Sequence, residues 1–361
     1  MGLAKSSLYK EAAETSLDEL AELAISAGAE ITQKILQTRP PDPAFYIGRG
    51  LVSRIKEEIS SNGANIVIFD DPLSPAQQRN LEEALNVKVI DRAVLILDIF
   101  ALHARTAEAK LQVELAQLEY TLPRLAGAWK HFSRQYGGIG TKGPGETQLE
   151  TDRRQIRKKI AHLKKDLERL GQQRETQRKA RQKLFKIALI GYTNAGKSTL
   201  FNILTKSDVA VADMLFTTLD STSRVMSSGY PEKIIFTDTV GFIKKLPHQL
   251  VASFRSTLEE AAYANLLLKV IDFSDKHYHE KMAQTNQILG EIGADKVDNI
   301  IVFNKIDKIP DFAVLQEVAG NSFYVSAING TGLDILKAEL SSRLQLFIAR
   351  NGFNHSPMGN S

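Results

Sequence analysis

The chain contains no cysteine among its 361 residues. A disulfide framework, a cysteine nucleophile and a cysteine-ligated zinc or iron–sulfur centre are therefore excluded. It also has no apolar run long enough to cross a bilayer, and its first twenty residues lack the apolar core of a secretory signal. These absences predict a cytoplasmic protein without stable membrane insertion.

The rest of the composition is that of an ordinary soluble protein. Apolar residues make up 43% of the chain and charged residues 24%, so the chain can bury a sizeable core and is not disordered throughout. Its length predicts about two to three domains.

Positive charge is concentrated in one stretch. Between Thr151 and Lys186 fourteen Lys/Arg face four Asp/Glu, a net charge of +10, whereas the whole chain carries +4 and the remainder therefore −6. Such a basic block favours a polyanionic partner. A solvated helix face laced with salt bridges would give the same pattern, and charge alone leaves both interpretations open.

The first part of the chain, residues 1–105, alternates between helix and strand patterns. Alternation of this kind predicts a small α/β domain with a parallel sheet. Ser74 and Pro75 mark the start of one helix as N-cap and first-turn residues. The patterns predict helices over 18–27 and 51–61, after Ser74 and from residue 93, and strands over 31–38, 44–48, 65–70 and 88–92.

Residues 106–184 read as two long helices joined by a glycine-rich tip, an antiparallel hairpin. The first helix lies within 106–135, the second runs over 147–184 and contains the basic block, and the tip at 137–146 holds five glycines. A turn needs only one or two glycines. The excess indicates a backbone that approaches another molecule closely or stays mobile.

Residues 185–350 form the third predicted domain, and the tail 351–361 is expected to be disordered. Residues 223–228 and 233–240 are predicted to pair as an antiparallel hairpin. The apolar runs predict further strands over 184–191, 266–273, 299–307 and 322–328, and a last helix over 333–349.

GYTNAGKS at 191–198 matches the P-loop pattern G-x-x-x-x-G-K-[ST] between an apolar strand and a helix. Glycines let backbone N–H groups wrap phosphates, while the lysine reaches the β- and γ-phosphates and the serine hydroxyl binds Mg²⁺. The predicted nucleotide contacts here are Gly191, Tyr192, Thr193, Asn194, Ala195, Gly196, Lys197, Ser198 and Thr199.

DTVG at 238–241 follows an apolar strand about forty residues later. Its aspartate can hold the Mg²⁺ shell and its glycine N–H can contact the γ-phosphate; the segment comprises Asp238, Thr239, Val240 and Gly241. Between the two motifs, a threonine is expected to close over Mg²⁺ and the γ-phosphate, and both Thr217 and Thr218 qualify. The predicted contacts of this segment are Phe216, Thr217, Thr218, Leu219 and Asp220.

NKID at 304–307 and SAI at 326–328 each follow a strand. A carboxylate at Asp307 can accept two hydrogen bonds from guanine, and adenine offers no such pair, so this motif weighs against an ATPase acting on RNA. The predicted base contacts are Asn304, Lys305, Ile306, Asp307, Ser326, Ala327 and Ile328.

GGIGTKGPGETQLETDRRQIRKKI at 137–160, followed in order by these motifs, resembles the HflX family of ribosome-associated P-loop GTPases in the translation-factor class. The resemblance implies a P-loop GTPase domain of the α/β class with a mainly parallel sheet, preceded by the small α/β domain and the hairpin. It also implies Thr218 as a metal ligand beside Ser198, and Lys197, Thr218 and Gly241 as the catalytic groups.

The same resemblance implies GTP/GDP, the large ribosomal subunit and its rRNA as partners, with the hairpin tip reaching rRNA. Phe242 stands where Ras-type enzymes place a water-orienting glutamine, so slow basal hydrolysis is expected. Asn194 stands where potassium-dependent GTPases keep an asparagine, which suggests K⁺ beside Mg²⁺.

We therefore expect a monomeric GTPase that binds the large subunit in a nucleotide-dependent way and acts in ribosome dissociation, rescue or biogenesis, without DNA as a partner. The alternative is a nucleotide-gated RNA-binding module with negligible stimulated turnover.

Overall fold

The computed structural model describes residues 1–125, 144–180, 184–206, 222–227, 233–245, 260–309 and 320–351. The chain divides into two compact units, Met1–Gln173 with Lys244–Phe254, and Arg174–Ile243 with Arg255–Ser361. In the described residues no helix is both long and apolar enough to span a membrane. The division into three domains, at residues 1–105, 106–184 and 185–350, stays a prediction from the sequence.

The first unit contains short parallel strands and the helices between them. β1 pairs with β2 and β3 with β4, both in parallel. The Met1 backbone joins the two pairs, because its amine donates to the Ile68 carbonyl and its carbonyl accepts from the Asp70 N–H. The elements are β1 (Gly2–Ala4), α1 (Lys10–Ser26), β2 (Leu36–Thr38), α2 (Arg49–Asn62), β3 (Ile66–Phe69), α3 (Pro75–Leu85), β4 (Lys88–Asp91), α4 (Arg92–His103), α5 (Ala107–Thr121) and α6 (Pro144–Ala180).

The start of α3 confirms the predicted capping signal. The Ser74 hydroxyl accepts from the Gln77 N–H, and the Gln77 side chain accepts from the Ser74 N–H, with Pro75 in the first turn. This reciprocal capping box satisfies two N–H groups that a helix otherwise leaves without partners.

Three sequence expectations for this unit differ from the structure. The short strand predicted at 44–48 is wrong, because the Asp42 carboxylate accepts from the Ala44 and Phe45 N–H groups and closes a turn there. The strand predicted over 31–38 is limited to Leu36–Thr38, and the helix predicted over 18–27 starts already at Lys10. Local side-chain hydrogen bonds of aspartate favour turns over strands.

A buried charge network ties the elements of the first unit together. The Arg92 guanidinium, only 1% exposed, donates to Asp70, Glu19 and the Ser16 carbonyl. Lys245, whose segment belongs to this unit, also pairs with Asp70. Burial would raise the pKa of Asp70, but Arg92, Lys245 and the Ser16 hydroxyl hold that pKa below its usual value. The paired charges offset the cost of burying them, although Glu19 Oε1 is buried without a hydrogen-bond partner among the described residues.

The second unit is built on a six-stranded sheet in the order β10-β9-β8-β5-β7-β6. All neighbouring pairs are parallel except β6–β7, which is the predicted antiparallel hairpin. This confirms the α/β fold class with a mainly parallel sheet. The elements are β5 (Phe185–Ile190), α7 (Lys197–Thr205), β6 (Thr222–Ser227), β7 (Lys233–Asp238), β8 (Leu266–Asp272), α8 (Tyr278–Glu291), β9 (Asn299–Asn304), β10 (Ser322–Tyr324) and α9 (Leu333–Arg350).

The basic block lies largely on α6. Two of its lysines, Lys159 and Lys164, form ion pairs with Glu114 and Glu119 of α5, so the salt-bridge interpretation applies to part of the block. Four other basic side chains are exposed and have no ion pair within the described residues: Arg154, Arg157, Lys158 and Lys165. Of the predicted glycine tip, residues 137–143 lie outside the described residues and only 144–146 are described. The tail from residue 352 also lies outside the described residues.

Candidate nucleotide-binding site

The four motifs meet at one edge of the second unit's sheet. Gly191 follows β5, Asp238 ends β7, Asn304 ends β9, and Ser326 comes two residues after β10. Because β5, β7, β9 and β10 run parallel, their carboxyl ends share an edge, which is where α/β sheets bind ligands. The sheet topology therefore brings segments more than one hundred residues apart in sequence to a common place.

The P-loop needs its glycines. Gly191 has φ +147°, and a Cβ there would lie 2.1 Å from the Val270 carbonyl oxygen. Gly196 has φ +88°, and a Cβ there would lie 2.2 Å from Asn304 Nδ2. Both positions combine a backbone conformation that L side chains avoid with a close approach, so neither accepts a side chain. α7 begins directly after Gly196, and its first N–H groups face the loop.

Lys197 is buried at the start of α7. Its Nζ donates to the Tyr192 carbonyl at 2.7 Å. Burial lowers the pKa of Lys197 to about 8, a shift that Asp238 opposes and Lys305 reinforces. An anion beside a buried ammonium favours its charged form, because the anion's charge offsets the desolvation. The position and burial of Lys197 suit a lysine that binds phosphate.

Ser198 and Asp238 supply adjacent oxygens for a hard cation. The Ser198 hydroxyl donates to Asp238 Oδ2 at 2.7 Å, and the Asp238 carboxylate is fully buried. Within the described residues no group of three or more His, Cys, Asp or Glu could hold a metal alone. A hydroxyl and one carboxylate suit Mg²⁺, which keeps waters and binds through few protein oxygens together with substrate phosphates.

The segment after Asp238 lies against the P-loop. The Thr193 N–H donates to the Phe242 carbonyl at 2.8 Å, and the Phe242 N–H donates to the Gly191 carbonyl at 3.0 Å. A Cβ on Gly241 would come within 2.8 Å of the Thr193 Cα and 3.0 Å of Lys197 Nζ. Sequence reasoning considered Phe242 only as a missing glutamine and did not find this backbone pairing.

The base-binding motifs are joined to each other and to the P-loop. Asn304 Nδ2 donates to the Ala195 carbonyl at 2.9 Å, and Asn304 Oδ1 accepts from the Ala327 N–H at 3.0 Å. The Asp307 carboxylate accepts from the Ser326 hydroxyl at 2.6 Å. These bonds fix the position of Asp307, so that its carboxylate can meet the N–H groups of a guanine.

Asp272 is a further residue of this site that sequence reasoning missed. It ends β8 and forms an ion pair with Lys305 at 2.8 Å, while Lys305 Nζ also donates to Asn194 Oδ1 at 3.4 Å. The pair holds the lysine of NKID beside the P-loop. Its sequence signal was available, because an acidic residue at the carboxyl end of the strand between β5 and β9 must lie at the same edge.

The remaining predicted contacts are distributed around these groups. Thr239 is buried and donates to the Leu189 carbonyl, Val240 and Ile306 are buried, Thr199 is half-buried on α7, and Ile328 is exposed. The segment expected to close over the nucleotide lies outside the described residues; it comprises Phe216, Thr217, Thr218, Leu219 and Asp220.

Comparison with known protein families gives three matches along the chain. Residues 14–101 match "GTP-binding GTPase N-terminal", residues 103–181 match "GTP-binding GTPase Middle Region", and residues 186–305 match "50S ribosome-binding GTPase". Together these matches cover most of the chain.

Individual relatives point to the same family of GTPases. GTPase HflX of Escherichia coli is 46% identical over 348 residues, covering 94% of this chain and 82% of the relative. GTPase HflX of Caldanaerobacter subterraneus is 47% identical over 334 residues, covering 92% and 77%. A crystal structure of SsGBP with GDP has 27% identity and a TM-score of 0.52, covering 96% of this chain and 98% of that one. The chain therefore belongs to the HflX family of P-loop GTPases and is a GTP hydrolase.

Proposed function

We propose that this protein is a cytoplasmic GTPase that binds the large ribosomal subunit when it carries GTP and releases it after hydrolysis, acting in ribosome dissociation, rescue or biogenesis. The observation that carries the proposal is the junction of Asn304 with the Ala195 carbonyl and the Ala327 N–H. One side chain there links the phosphate loop to the base-reading loops. These bonds hold the phosphate loop and the base-reading loops in a fixed relation, which suits the binding of one whole guanine nucleotide.

Mg²⁺ is the metal that this site suits. Ser198 and Thr218 would be its protein ligands, and Asp238 would hold its water shell. The ion would supply positive charge that neutralises the charge developing on the phosphates during hydrolysis.

Hydrolysis depends on positioning rather than on a general base. Lys197 holds the β- and γ-phosphates, and the Gly241 N–H is available to the γ-phosphate and the attacking water. Phe242 is 2% exposed and presents no polar atom beyond its backbone, so it cannot orient water as a glutamine would. Turnover without a partner is therefore slow, and the ribosome completes the site.

The ribosome is the partner that the basic helix favours. Arg154, Arg157, Lys158 and Lys165 on α6 are exposed and have no ion pair within the described residues, and cations of this kind bind phosphate backbones. The family matched over residues 186–305 is described as a 50S ribosome-binding GTPase. Both facts support the large ribosomal subunit as the polyanionic partner of the basic helix.

Co-sedimentation tests the proposal. The protein is spun with purified large subunits in the presence of a non-hydrolysable GTP analogue, GDP or no nucleotide, and we expect it in the pellet mainly with the analogue. The double variant Arg157→Gln/Lys158→Gln should pellet less, and the salt slope of its remaining binding should be smaller by about two. Its matched control, Lys56→Gln/Lys296→Gln, removes the same charge from exposed sites elsewhere and should pellet normally. Equal pelleting in all three nucleotide states would refute the proposal.

Potassium is proposed as a second cation beside Asn194, whose side chain already accepts from Lys305 at 3.4 Å. GTP turnover should then be faster in K⁺ than in Na⁺ at equal ionic strength, and equal rates would exclude this role.

A further inference from the structure

Tyr192 is the one large side chain between the two glycines of the P-loop. Thr193, Asn194 and Ala195, which complete that stretch, are all smaller. Tyr192 is only 5% exposed, and both its ring and its hydroxyl contact α8, a helix that carries none of the nucleotide motifs. The P-loop is therefore tied by this side chain to an element that has no other assigned part in the site.

Two side chains on one face of α8 hold Tyr192. The Tyr192 hydroxyl donates to Gln284 Oε1 at 3.2 Å. The Lys281 ammonium lies 4.8 Å from the centre of the Tyr192 ring, within the range of a cation–π interaction, and an ion pair of 2.5 Å with Asp275 holds that ammonium in place. Residues three apart on a helix are neighbours on its surface, so Lys281 and Gln284 contact the ring and the hydroxyl together.

The backbone of Tyr192 contacts Lys197 directly. The Tyr192 carbonyl accepts from Lys197 Nζ at 2.7 Å and from the Ala195 N–H at 3.3 Å. The position of this carbonyl therefore contributes both to where the ammonium lies and to how the loop turns. Because glycines give the loop little steric restraint, the carbonyl depends on the contacts that fix residue 192.

The segment after Asp238 restrains the opposite side of this part of the loop. Phe242 pairs with the Gly191 carbonyl and the Thr193 N–H, and the Tyr192 carbonyl takes no part in that pairing. In extended backbone, the polar groups of neighbouring residues point to opposite sides. The contacts of the Tyr192 side chain with α8 thus supply a restraint that the backbone pairing does not.

We propose that Gln284 is a positioning residue for GTP hydrolysis, which acts through the Tyr192 hydroxyl to keep the Tyr192 carbonyl in place against Lys197. Lys281 assists by fixing the orientation of the ring. The inference rests on the proposed role of Lys197 in holding the β- and γ-phosphates. If Tyr192 only packed in the core, losing its hydrogen bond would lower stability and leave hydrolysis untouched.

Gln284→Leu tests the inference, because leucine fills similar space on α8 but accepts no hydrogen bond. Single-turnover hydrolysis at saturating GTP should slow by about fivefold, the effect of one neutral hydrogen bond. The GTP affinity should fall by a smaller factor, since negative charge develops on the phosphates as the bond to the γ-phosphate breaks. Gln287→Leu makes the same change at an exposed position of the same helix and should leave both quantities unchanged.

A double-mutant cycle tests whether the effect passes through Tyr192. Tyr192→Phe removes the hydroxyl but keeps the ring, and it should slow hydrolysis by the same factor as Gln284→Leu. The double variant should be no slower than either single variant, because both substitutions break the same hydrogen bond. Lys197→Met in the same assay tests the role of the lysine itself.

Two outcomes would overturn the inference. One is wild-type hydrolysis by Gln284→Leu while Lys197→Met is slow, which would assign Tyr192 to packing alone. The other is a double variant whose loss is the product of the two single losses, which would show that the two side chains act separately. Wild-type hydrolysis by Lys197→Met would instead refute the proposed role of the lysine.

Discussion

At the scale of single residues, we expect Lys197 to decide how nucleotide binding responds to pH. Its pKa is lowered to about 8 because it is buried, whereas the unfolded chain keeps the ordinary value near 10.4. Between these values the unfolded state holds more protons, so this lysine makes the nucleotide-free protein more stable as the pH rises from 8 to 10. Phosphate contact should return the pKa toward its ordinary value.

We therefore expect GDP binding above pH 8 to take up a proton, with an affinity that falls by up to about tenfold per pH unit. Calorimetry in buffers of different ionisation enthalpy measures the uptake directly. Lys197→Met should abolish the uptake, and a wild-type protein that binds GDP at pH 9 without proton uptake would contradict the assignment.

We propose that Asp307 decides which base is bound. Asp307→Asn would replace a carboxylate able to accept from two guanine N–H groups with an amide that presents a donor to one of them. GTP affinity should fall by about a hundredfold or more, and xanthosine triphosphate should become the preferred ligand. Competition binding with the two nucleotides measures the exchange of preference, and undiminished GTP binding would remove Asp307 from the base site.

The sequence allowed a role to be predicted for each of these residues. It did not allow every side chain that contacts them to be predicted. Lys197, Ser198, Asp238 and Asp307 stand in motifs whose residue types are typical of phosphate, Mg²⁺ and guanine binding. The partner of Lys305, Asp272, belongs to no such motif, and only the order of the strands brings it to the site.

At the scale of elements, the segment from Asp238 to Phe242 packs closely on the P-loop. Gly241→Ala would place a methyl group 2.8 Å from the Thr193 Cα and 3.0 Å from Lys197 Nζ, so the segment must move away from the γ-phosphate. GTP turnover should fall by about tenfold or more, while GDP affinity should change little, since GDP lacks that phosphate.

Gly290→Ala is the matched control, because a Cβ at Gly290 on α8 meets nothing within 4 Å. Single-turnover hydrolysis and GDP titration of both variants separate the two effects. Full activity of Gly241→Ala would show that this segment does not approach the γ-phosphate during hydrolysis.

Elements with strong local signals were predictable, and those decided by neighbours were not. The capping box at Ser74 and the apolar run at β3 identified their elements from the sequence. β1 has only three residues, too few for a periodic pattern, and forms because β2 and Ile68 provide partners. Residues 44–48 look like a strand by composition, but Asp42 turns the chain.

At the scale of the whole molecule, the first unit depends on one buried charge network. Asp70→Asn would remove one of the negative charges that balance the buried Arg92 guanidinium. It should lower the free energy of unfolding by about 3–5 kcal/mol. Urea denaturation measures this loss. Asp18→Asn, which breaks an exposed pair with Lys34, should cost less than about 1 kcal/mol, and equal losses would contradict the role of the network.

The same network determines how the free energy of unfolding of the first unit falls at low pH. The pKa of Asp70 is held below its usual value, so its stabilising contribution is complete above the unfolded pKa of about 3.9 and is lost as the pH falls through the folded value. Asp70→Asn should therefore flatten the acid branch of the stability curve.

The fold of the second unit could be predicted from the sequence because four of its six strands, β5, β7, β9 and β10, lead into recognisable motifs. The charge network of the first unit could not, since Arg92, Asp70 and Lys245 stand far apart in the sequence and only the fold brings them together.

The most direct test of the central claim is steady-state GTP hydrolysis measured against increasing concentrations of purified large ribosomal subunits. Slow turnover that rises to a plateau with added large subunits, and does not rise with Arg157→Gln/Lys158→Gln, is the expected result. Turnover that stays at its basal level at every subunit concentration would contradict the account and favour an RNA-binding module that only switches with its nucleotide.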